Sequence, residues 1–335
     1  MKALCLKSYA KDLQKSLEIK DHKLEPLKGD EVLIDIYVAG LNPVDYKIVH
    51  GAARLFNNPP KPFPIGFDLS GKIAAVGSEV KGFEVGDEVY AKLPWSHVGS
   101  VAEQAKCPED MCSLKPKNTT YIEAAGLPLV ACTVIDSFNI MKIKKDTKIL
   151  IHAGAGGIGT FAIQYAKHLG ATVYTTCSTS KVEFLNQLGA DYVIDYTTDD
   201  YKKSLSEIDI VYDTLGGKFT KEATQFVKKG GQIISIVGYY DNATLKEIGI
   251  NPVIRFFNYF RGLPLLNACS KKNIFYKHVW SFPNQMKLNE TRKLIEKEVI
   301  KPTTDSVFEF ENSIAALEYV ATNRAKGKVL IEIHK

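Results

Sequence analysis

The sequence predicts an α/β chain in which a small, strand-rich domain is joined to a parallel sheet flanked by helices. Three observations predict it. Residues 1 to about 125 hold short strand-like runs and frequent turn signals but no convincing helix. A glycine-rich turn then joins an apolar, β-prone run to a helical pattern between Ile149 and Gly170. Strand-like and helix-like segments alternate from there to about Val237.

The chain opens on Met1-Lys-Ala-Leu-Cys-Leu-Lys7, which alternates like a strand and lacks the apolar stretch of a signal peptide. Further strands are expected at Glu31 to Val38, Ser70 to Val76 and Glu88 to Leu93, separated by Lys28-Gly-Asp30, Val76-Gly-Ser78 and Val85-Gly-Asp87. Such spacing fits a partly open β-barrel. An Ala-rich helix follows from Ile122 to Met141, interrupted near Gly126-Leu-Pro128.

Ile149 to Ile151 run into Gly154, Gly156 and Gly159, which fit G-x-G-x-x-G, and Gly157 and Ile158 open the helix behind them. A dinucleotide pyrophosphate needs one glycine for the turn, one for backbone approach and one for helix packing. The helix N-terminus supplies N–H groups and the positive end of its dipole. Ala171 to Thr176, Lys181 to Leu188 and Tyr192 to Ile194 complete a βαβαβ half, so a doubly wound Rossmann domain with a parallel sheet is expected. Ile208 to Asp213 and Gln232 to Val237 add two strands. Leu215, within Leu215-Gly-Gly217, and Gly238 fall at strand carboxyl ends, where ligands bind in open α/β sheets.

Between Gly238 and Ile274 lie Tyr239, Tyr240, Phe256, Phe257, Tyr259 and Phe260. They form either a lid over flat substrates or, the reading favoured, a helix packing its aromatics into a domain interface or a dimer contact. A helix at Asn312 to Ala321 and a strand at Lys328 to Ile333 are expected to return to the first domain. The expected boundaries are 1–124, 125–267 and 268–335, the last holding the final Rossmann strand and the return.

The end of the second Rossmann strand bears on the cofactor. An NAD site places Asp or Glu about 20 residues past the glycines. Here Thr175 to Thr179 stand instead, followed by Lys181. Without the acid a 2′-phosphate is not repelled, and Ser178 and Lys181 can donate to it, a charge-assisted bond being worth roughly 1.5–3 kcal/mol. NADPH is expected over NADH.

Composition excludes other classes. A net charge of +5 without a basic stripe argues against nucleic-acid binding. No apolar run approaches a membrane span. The six cysteines form no C-x-x-C pair, which fits reduced thiols in the cytoplasm.

Several further segments together resemble a known family. Gly40-Leu-Asn-Pro-Val-Asp-Tyr-Lys47, Pro64-Ile-Gly-Phe-Asp-Leu-Ser-Gly71, Phe83-Glu-Val-Gly-Asp-Glu-Val-Tyr-Ala91, the 153–159 loop and Lys326-Gly-Lys-Val-Leu330 are similar to the zinc-free medium-chain dehydrogenase/reductases of the quinone oxidoreductase (zeta-crystallin-like) group. The resemblance implies a GroES-like barrel domain built from both chain ends, an inserted Rossmann domain, a substrate cleft at their junction and a homodimer. It also implies that Tyr196, after Gly189-Ala-Asp-Tyr-Val-Ile-Asp195, lies in the phosphate-binding region. Zinc members carry Cys, Gly-His-Glu and Cys where this chain has Asn42, Gly66-Phe67-Asp68 and the 129–131 run, so no catalytic metal is expected. Cys107 and Cys112 stand alone where zinc members have four cysteines, and His97 is expected to be a surface or pocket histidine.

Without a Lewis acid the substrate should bring its own electrophilicity. The expected activity is NADPH-dependent hydride transfer to quinones or α,β-unsaturated carbonyls, with hydrogen bonds stabilising the oxygen that gains charge. Asn42 is the candidate donor to the carbonyl, Asp45 the group that orients a neighbour or caps a helix, and Tyr46 the candidate proton donor. The rival readings are an enoyl-thioester reductase, using Arg54, Arg255 and Arg261 for a phosphopantetheine-bearing substrate, and a non-catalytic NADPH-binding sensor or structural protein.

Overall fold

The computed structural model describes residues 1–52, 54 and 58–334. Two compact units divide the chain: Met1–Cys132 with Phe282–Lys335, and Thr133–Ser281. The sequence-expected boundaries at 124/125 and 267/268 lie earlier than these divisions. The helix Pro128–Met141 runs through the first junction, and the strand Phe275–His278, expected within the 268–335 segment, falls in the second unit.

The first unit contains β1 (Lys2–Leu6), β2 (Leu17–Asp21), β3 (Glu31–Leu41), β4 (Phe63–Pro64), β5 (Asp68–Val76), β6 (Glu88–Lys92), β7 (Gln104–Pro108) and β8 (Cys112–Leu114). β3 organises it, pairing antiparallel with both β5 and β7. Val32, Ile34 and Ile36 alternate onto one face and pack with Leu69, Ile73 and Val89. A second core gathers Leu4, Leu6, Leu41, Ile48, Phe67 and Leu317.

At the start of β3 the Glu31 carboxylate is buried. It accepts from His97 Nε2 at 2.8 Å and from the Lys28 N–H at 3.0 Å, and pairs with Lys106 Nζ at 3.1 Å. His97 is thus part of a structural polar network. Burial would raise the Glu31 carboxyl, but these donors and the Lys106 charge outweigh it and hold it at about 2. A depressed folded value contributes stability above the unfolded value, which is lost as pH falls from about 4.5 toward 2; the gain at neutral pH is about 2–3 kcal/mol. Glu31→Gln should therefore melt well below the wild type at pH 7, with the gap clearly narrower at pH 3 and closing toward pH 2. An equal gap at pH 7 and pH 3 refutes the assignment.

The second unit holds β9 (Lys148–Ile151), β10 (Thr172–Cys177), β11 (Tyr192–Asp195), β12 (Ile208–Asp213), β13 (Val227–Ser235) and β14 (Phe275–His278). They form a six-stranded sheet in the order β11-β10-β9-β12-β13-β14, and every pair is parallel. Ile149, Leu150, Ile151, Val211, Tyr212, Ile233 and Ile234 are all fully buried, as a sheet covered on both faces requires. Strand order reverses between β9 and β12, so the carboxyl ends of those two strands flank the topological switch point. β13 begins at Val227 rather than the expected Gln232, because Lys228-Lys229-Gly230-Gly231 hides its first turns behind polar and glycine residues.

The aromatic segment forms the helix Pro252–Lys271. Its inward face is Asn258, Gly262, Leu265 and Cys269, at helical spacing, with Asn258 Nδ2 donating to the Tyr240 carbonyl at 2.7 Å. Phe256, Phe257, Tyr259 and Phe260 fall off that face and stand exposed, so they do not pack into the core of this unit.

The chain then returns to the first unit and ends in β15 (Thr304–Glu309) and β16 (Lys328–Glu332). β16 pairs antiparallel with β3, Val329 opposite Leu41, which closes a seven-stranded sheet from both chain ends.

Candidate active site

In the second unit the glycine loop leaves β9 and enters the helix Gly157–His168 with Gly156 as its N-cap. Ala153 takes a left-handed φ of 51° to make the turn. The loop is tied to β10: the Gly154 N–H donates to the Thr176 carbonyl at 3.2 Å, and Thr175 Oγ1 donates to the Ile151 carbonyl at 2.8 Å.

The three motif glycines do different things. A Cβ on Gly154 would meet Thr175 Oγ1 at 2.0 Å, and one on Gly159 would meet the Gly154 carbonyl oxygen at 2.5 Å. Packing alone demands glycine at both. A Cβ on Gly156 would have the Ala153 carbonyl oxygen at 3.5 Å as its nearest neighbour, so the protein leaves that space open. Gly156 has no side chain with which to cap the helix, whose first-turn N–H groups, including those of Gly157 and Ile158, form an anion cradle. This fits a dinucleotide pyrophosphate.

Ser178 follows β10 and leads into the single turn Thr179–Lys181; it and Lys181 are half-buried. Tyr196, just past β11, is 58% exposed, and its N–H donates to the Cys177 carbonyl at 3.1 Å, which holds it beside the end of β10. The structure adds a carboxylate here that linear spacing hides. Asp195, at the end of β11, accepts from the Thr197 N–H at 2.9 Å and from Thr197 Oγ1 at 2.7 Å. Hydrogen bonds from Thr179 and Thr197 hold it below the usual carboxylate range. Leu215 and Gly238 sit past the carboxyl ends of β12 and β13; Leu215 is 42% exposed, and Gly238 takes a φ of 92°.

In the first unit the helix Pro43–Val49 starts with a reciprocal cap between Asn42 and Asp45. The Asn42 N–H donates to Asp45 Oδ2 at 2.7 Å, which is one half of that cap. Asn42 Nδ2 donates to Asp68 Oδ2 at 2.9 Å, while Lys328 Nζ donates to Asn42 Oδ1 at 2.5 Å. Asp68 also pairs with Lys328 at 3.2 Å and accepts from the Leu129 N–H at 2.8 Å. Asn42 is 3% exposed; one amide N–H donates to Asp68 and the other only reaches the Gly40 carbonyl at 3.5 Å, so a donor role toward a substrate carbonyl would draw on that second, weakly held N–H. Asp45 is fully buried with Oδ1 unpartnered. Burial, with the Asp68 charge, pushes its carboxyl up to about 7 against the Asn42 N–H and Lys328. Tyr46 is partly buried against the second core, edge-on to His50 at 5.6 Å between centroids. Desolvation lowers the Lys47 ammonium beside it.

Comparison with known proteins decides the family. The alcohol dehydrogenase GroES-like domain matches residues 28–127, and the zinc-binding dehydrogenase family matches 188–331. The chain is 35% identical to the 2-methylene-furan-3-one reductase of Solanum lycopersicum, over 91% of this chain and 72% of that one. It belongs to the medium-chain dehydrogenase/reductase superfamily, in the quinone oxidoreductase-like group. At 34% identity and the same coverages it is similar to the NADPH-dependent alkenal/one oxidoreductase, chloroplastic, of Arabidopsis thaliana. Among solved structures, the quinone oxidoreductase from Coxiella burnetii superposes with a TM-score of 0.86 at 27% identity, covering 100% of this chain and 99% of that one. The first unit is thus the GroES-like barrel of the superfamily, partly open, and the second its doubly wound Rossmann domain.

Superfamily membership raises the question of zinc, and the residues do not fit it. Among the described residues no group of three or more His, Cys, Asp or Glu side chains converges to hold a metal ion. Phe67 packs edge-on against Trp95 at 4.9 Å between centroids, and the Lys328 ammonium already occupies the oxygens of Asn42 and Asp68. Lys328 is the member of this cluster that sequence reasoning missed as a functional group. Its Gly-Lys-Val-Leu setting was legible, but nothing local tells that a residue near the C-terminus meets Asn42.

Proposed function

We propose that this protein reduces quinones or α,β-unsaturated carbonyls with NADPH, as a homodimer in a compartment that keeps thiols reduced, the cytoplasm. The observation that carries the reading is the open cradle at Gly156, ahead of a helix with no side-chain cap and beside the switch point. The names of the tomato and Arabidopsis relatives support the substrate class. All six cysteines are free and buried, which supports the compartment. β14 is one of the two outer strands of its sheet and offers an edge for a second copy. Among the described residues no helix is long and apolar enough to cross a membrane.

When bound, the nicotinamide supplies the hydride. The residues of this chain then hold, orient and donate. Gly154 to Gly159 bind the pyrophosphate, Ser178, Lys181 and Tyr196 take the adenosine end with its 2′-phosphate, and Leu215 and Gly238 border the switch point. In the first unit Asp45 fixes the Asn42 backbone, Lys328 and Asp68 fix its amide, and Tyr46 gives its phenol proton to the enolate or to the oxyanion of the hydroquinone monoanion, and is reprotonated from solvent.

The test is NADPH oxidation against 9,10-phenanthrenequinone, 1,4-benzoquinone, 3-buten-2-one, an alkenal and crotonyl-CoA, with NADH in parallel. Quinone or enone turnover with NADPH preferred is expected. Faster turnover of crotonyl-CoA would move the protein to the enoyl-thioester reductases, and NADPH binding without turnover to the sensor or structural class. Two variants sharpen the assignment. Lys181→Ala should raise the NADPH KM about tenfold and leave that for NADH unchanged; equal effects on both would remove Lys181 from the 2′-phosphate site. Tyr46→Phe should lower kcat at least about tenfold at unchanged NADPH KM. Unchanged turnover would rule out Tyr46 as the acid and make Lys47 the next donor to test.

A further inference from the structure

One buried carboxylate in the Rossmann unit lies outside the motif glycines yet reaches three of the strand ends around them. Asp213, at the end of β12, is fully buried. Oδ1 accepts from the Leu215 N–H at 3.1 Å, the Gly216 N–H at 2.8 Å and His152 Nδ1 at 3.4 Å. Oδ2 accepts from Ser235 Oγ at 2.9 Å and from Thr220 Oγ1. His152 is the first residue after β9, so the His152–Asp213 pair spans the gap between β9 and β12, where strand order reverses. Thr214 Oγ1 adds a second tie across the same gap, donating to the His152 carbonyl at 2.7 Å.

We propose that Asp213 is a positioning residue for the dinucleotide: its Oδ1 fixes the 214–217 loop against the start of the glycine loop and so presents Leu215 at the switch point. This rests on the NADPH reading above. The geometry explains why the loop needs a carboxylate. Gly216 and Gly217 take left-handed φ values of 74° and 58°, and a Cβ on Gly216 would press on the Gly238 N at 3.3 Å. A loop so bent turns two successive N–H groups inward, and one oxygen accepts both. The Leu215 side chain is left facing outward. Burial would raise the Asp213 carboxyl, but His152, Thr220 and the Gly216 N–H hold it below the ordinary range, so it stays an acceptor. The second oxygen serves a different purpose: Ser235 and Thr220 anchor the carboxylate to β13 and to the helix Lys218–Phe226.

The two oxygens can be separated by experiment. NADPH affinity is read from the change in nicotinamide fluorescence on titration, with circular dichroism and melting as the fold check, and with the KM for 9,10-phenanthrenequinone measured at saturating NADPH. Asp213→Ala is expected to raise the NADPH Kd at least about tenfold and leave the quinone KM within about twofold. Asp213→Asn keeps an oxygen toward the loop, and the Thr220 and Ser235 hydroxyls can turn to accept from its amide, so it should bind within about threefold of the wild type. Ser235→Ala should lower the melting temperature without moving the Kd. The proposal is overturned if Asp213→Ala binds NADPH like the wild type, or if Ser235→Ala weakens binding as much as Asp213→Ala. Where Asp213→Ala does not fold, Leu215→Ala, at an exposed position, replaces it: unchanged NADPH binding there overturns the proposal, as does a tenfold loss in Asp213→Asn, which keeps the acceptor geometry. A wild-type protein that binds no NADPH would instead overturn the functional reading itself.

Discussion

Lys328→Met is expected to lower the unfolding free energy by about 3–5 kcal/mol. Lys328 is 7% exposed, and Asp68, its partner, is fully buried. Removing the ammonium leaves a carboxylate with two neutral donors, the Asn42 amide and the Leu129 N–H, in a medium too poorly polarisable to replace a cation. Asn42 Oδ1 loses its donor as well. Urea unfolding at pH 7 measures the loss, and the double variant Asp68→Asn/Lys328→Met should recover much of it because no charge is then stranded. The pH dependence gives an independent check. Asp45 is already pushed up to about 7, and the Lys328 charge is one of the influences that hold it down. Without that charge Asp45 rises further. A raised folded value makes protonation stabilising, so the gap between variant and wild type should narrow from pH 8 to pH 5. A loss under about 1 kcal/mol at pH 7 would mean that water replaces the ammonium.

Gly156→Val should abolish NADPH binding, with a rise in Kd of at least about a hundredfold, while the fold survives. Gly156 has a φ of −79°, which any residue adopts, and a Cβ there meets nothing closer than 3.5 Å. Weakening the N-cap costs about 1 kcal/mol. The same substitution at Gly154 drives a side chain into Thr175 and destabilises the domain itself, so loss of binding there would carry no information about the ligand. Nicotinamide fluorescence titration beside a melting curve distinguishes the two glycines. Retained binding in Gly156→Val would remove the pyrophosphate from this loop and with it the observation on which the proposed function stands.

Much of the Rossmann unit was legible in the sequence because its signals are local. Ile208 to Asp213 appears as β12 with the expected ends, since Ile210, Val211 and Tyr212 form the short apolar run of a parallel strand covered on both faces. The aromatic run was harder. Its composition allowed a lid over flat substrates or a helix packing its aromatics into a domain interface or a dimer contact; helical spacing gives the inward face to Asn258, Gly262, Leu265 and Cys269 and leaves Phe256, Phe257, Tyr259 and Phe260 outside. Asp195 is not legible as a carboxylate near Ser178 because it lies further along the chain on β11 and meets Cys177 only as a register partner on the adjacent strand.

The sequence by itself determined the order of elements, the glycine turn and its helix, and the residue types available for each site. These follow from turn chemistry and from periodicities of two and 3.6 residues, which act over a few positions at a time. Only the tertiary structure decided which groups meet. Lys328 reaches Asn42 across 286 residues because β16 pairs with β3, and Asp213 gathers donors from β9 and β13 because the sheet sets both beside β12. Strand pairing between distant segments is fixed by the burial of whole faces, a property of the assembled sheet that no short window of sequence contains.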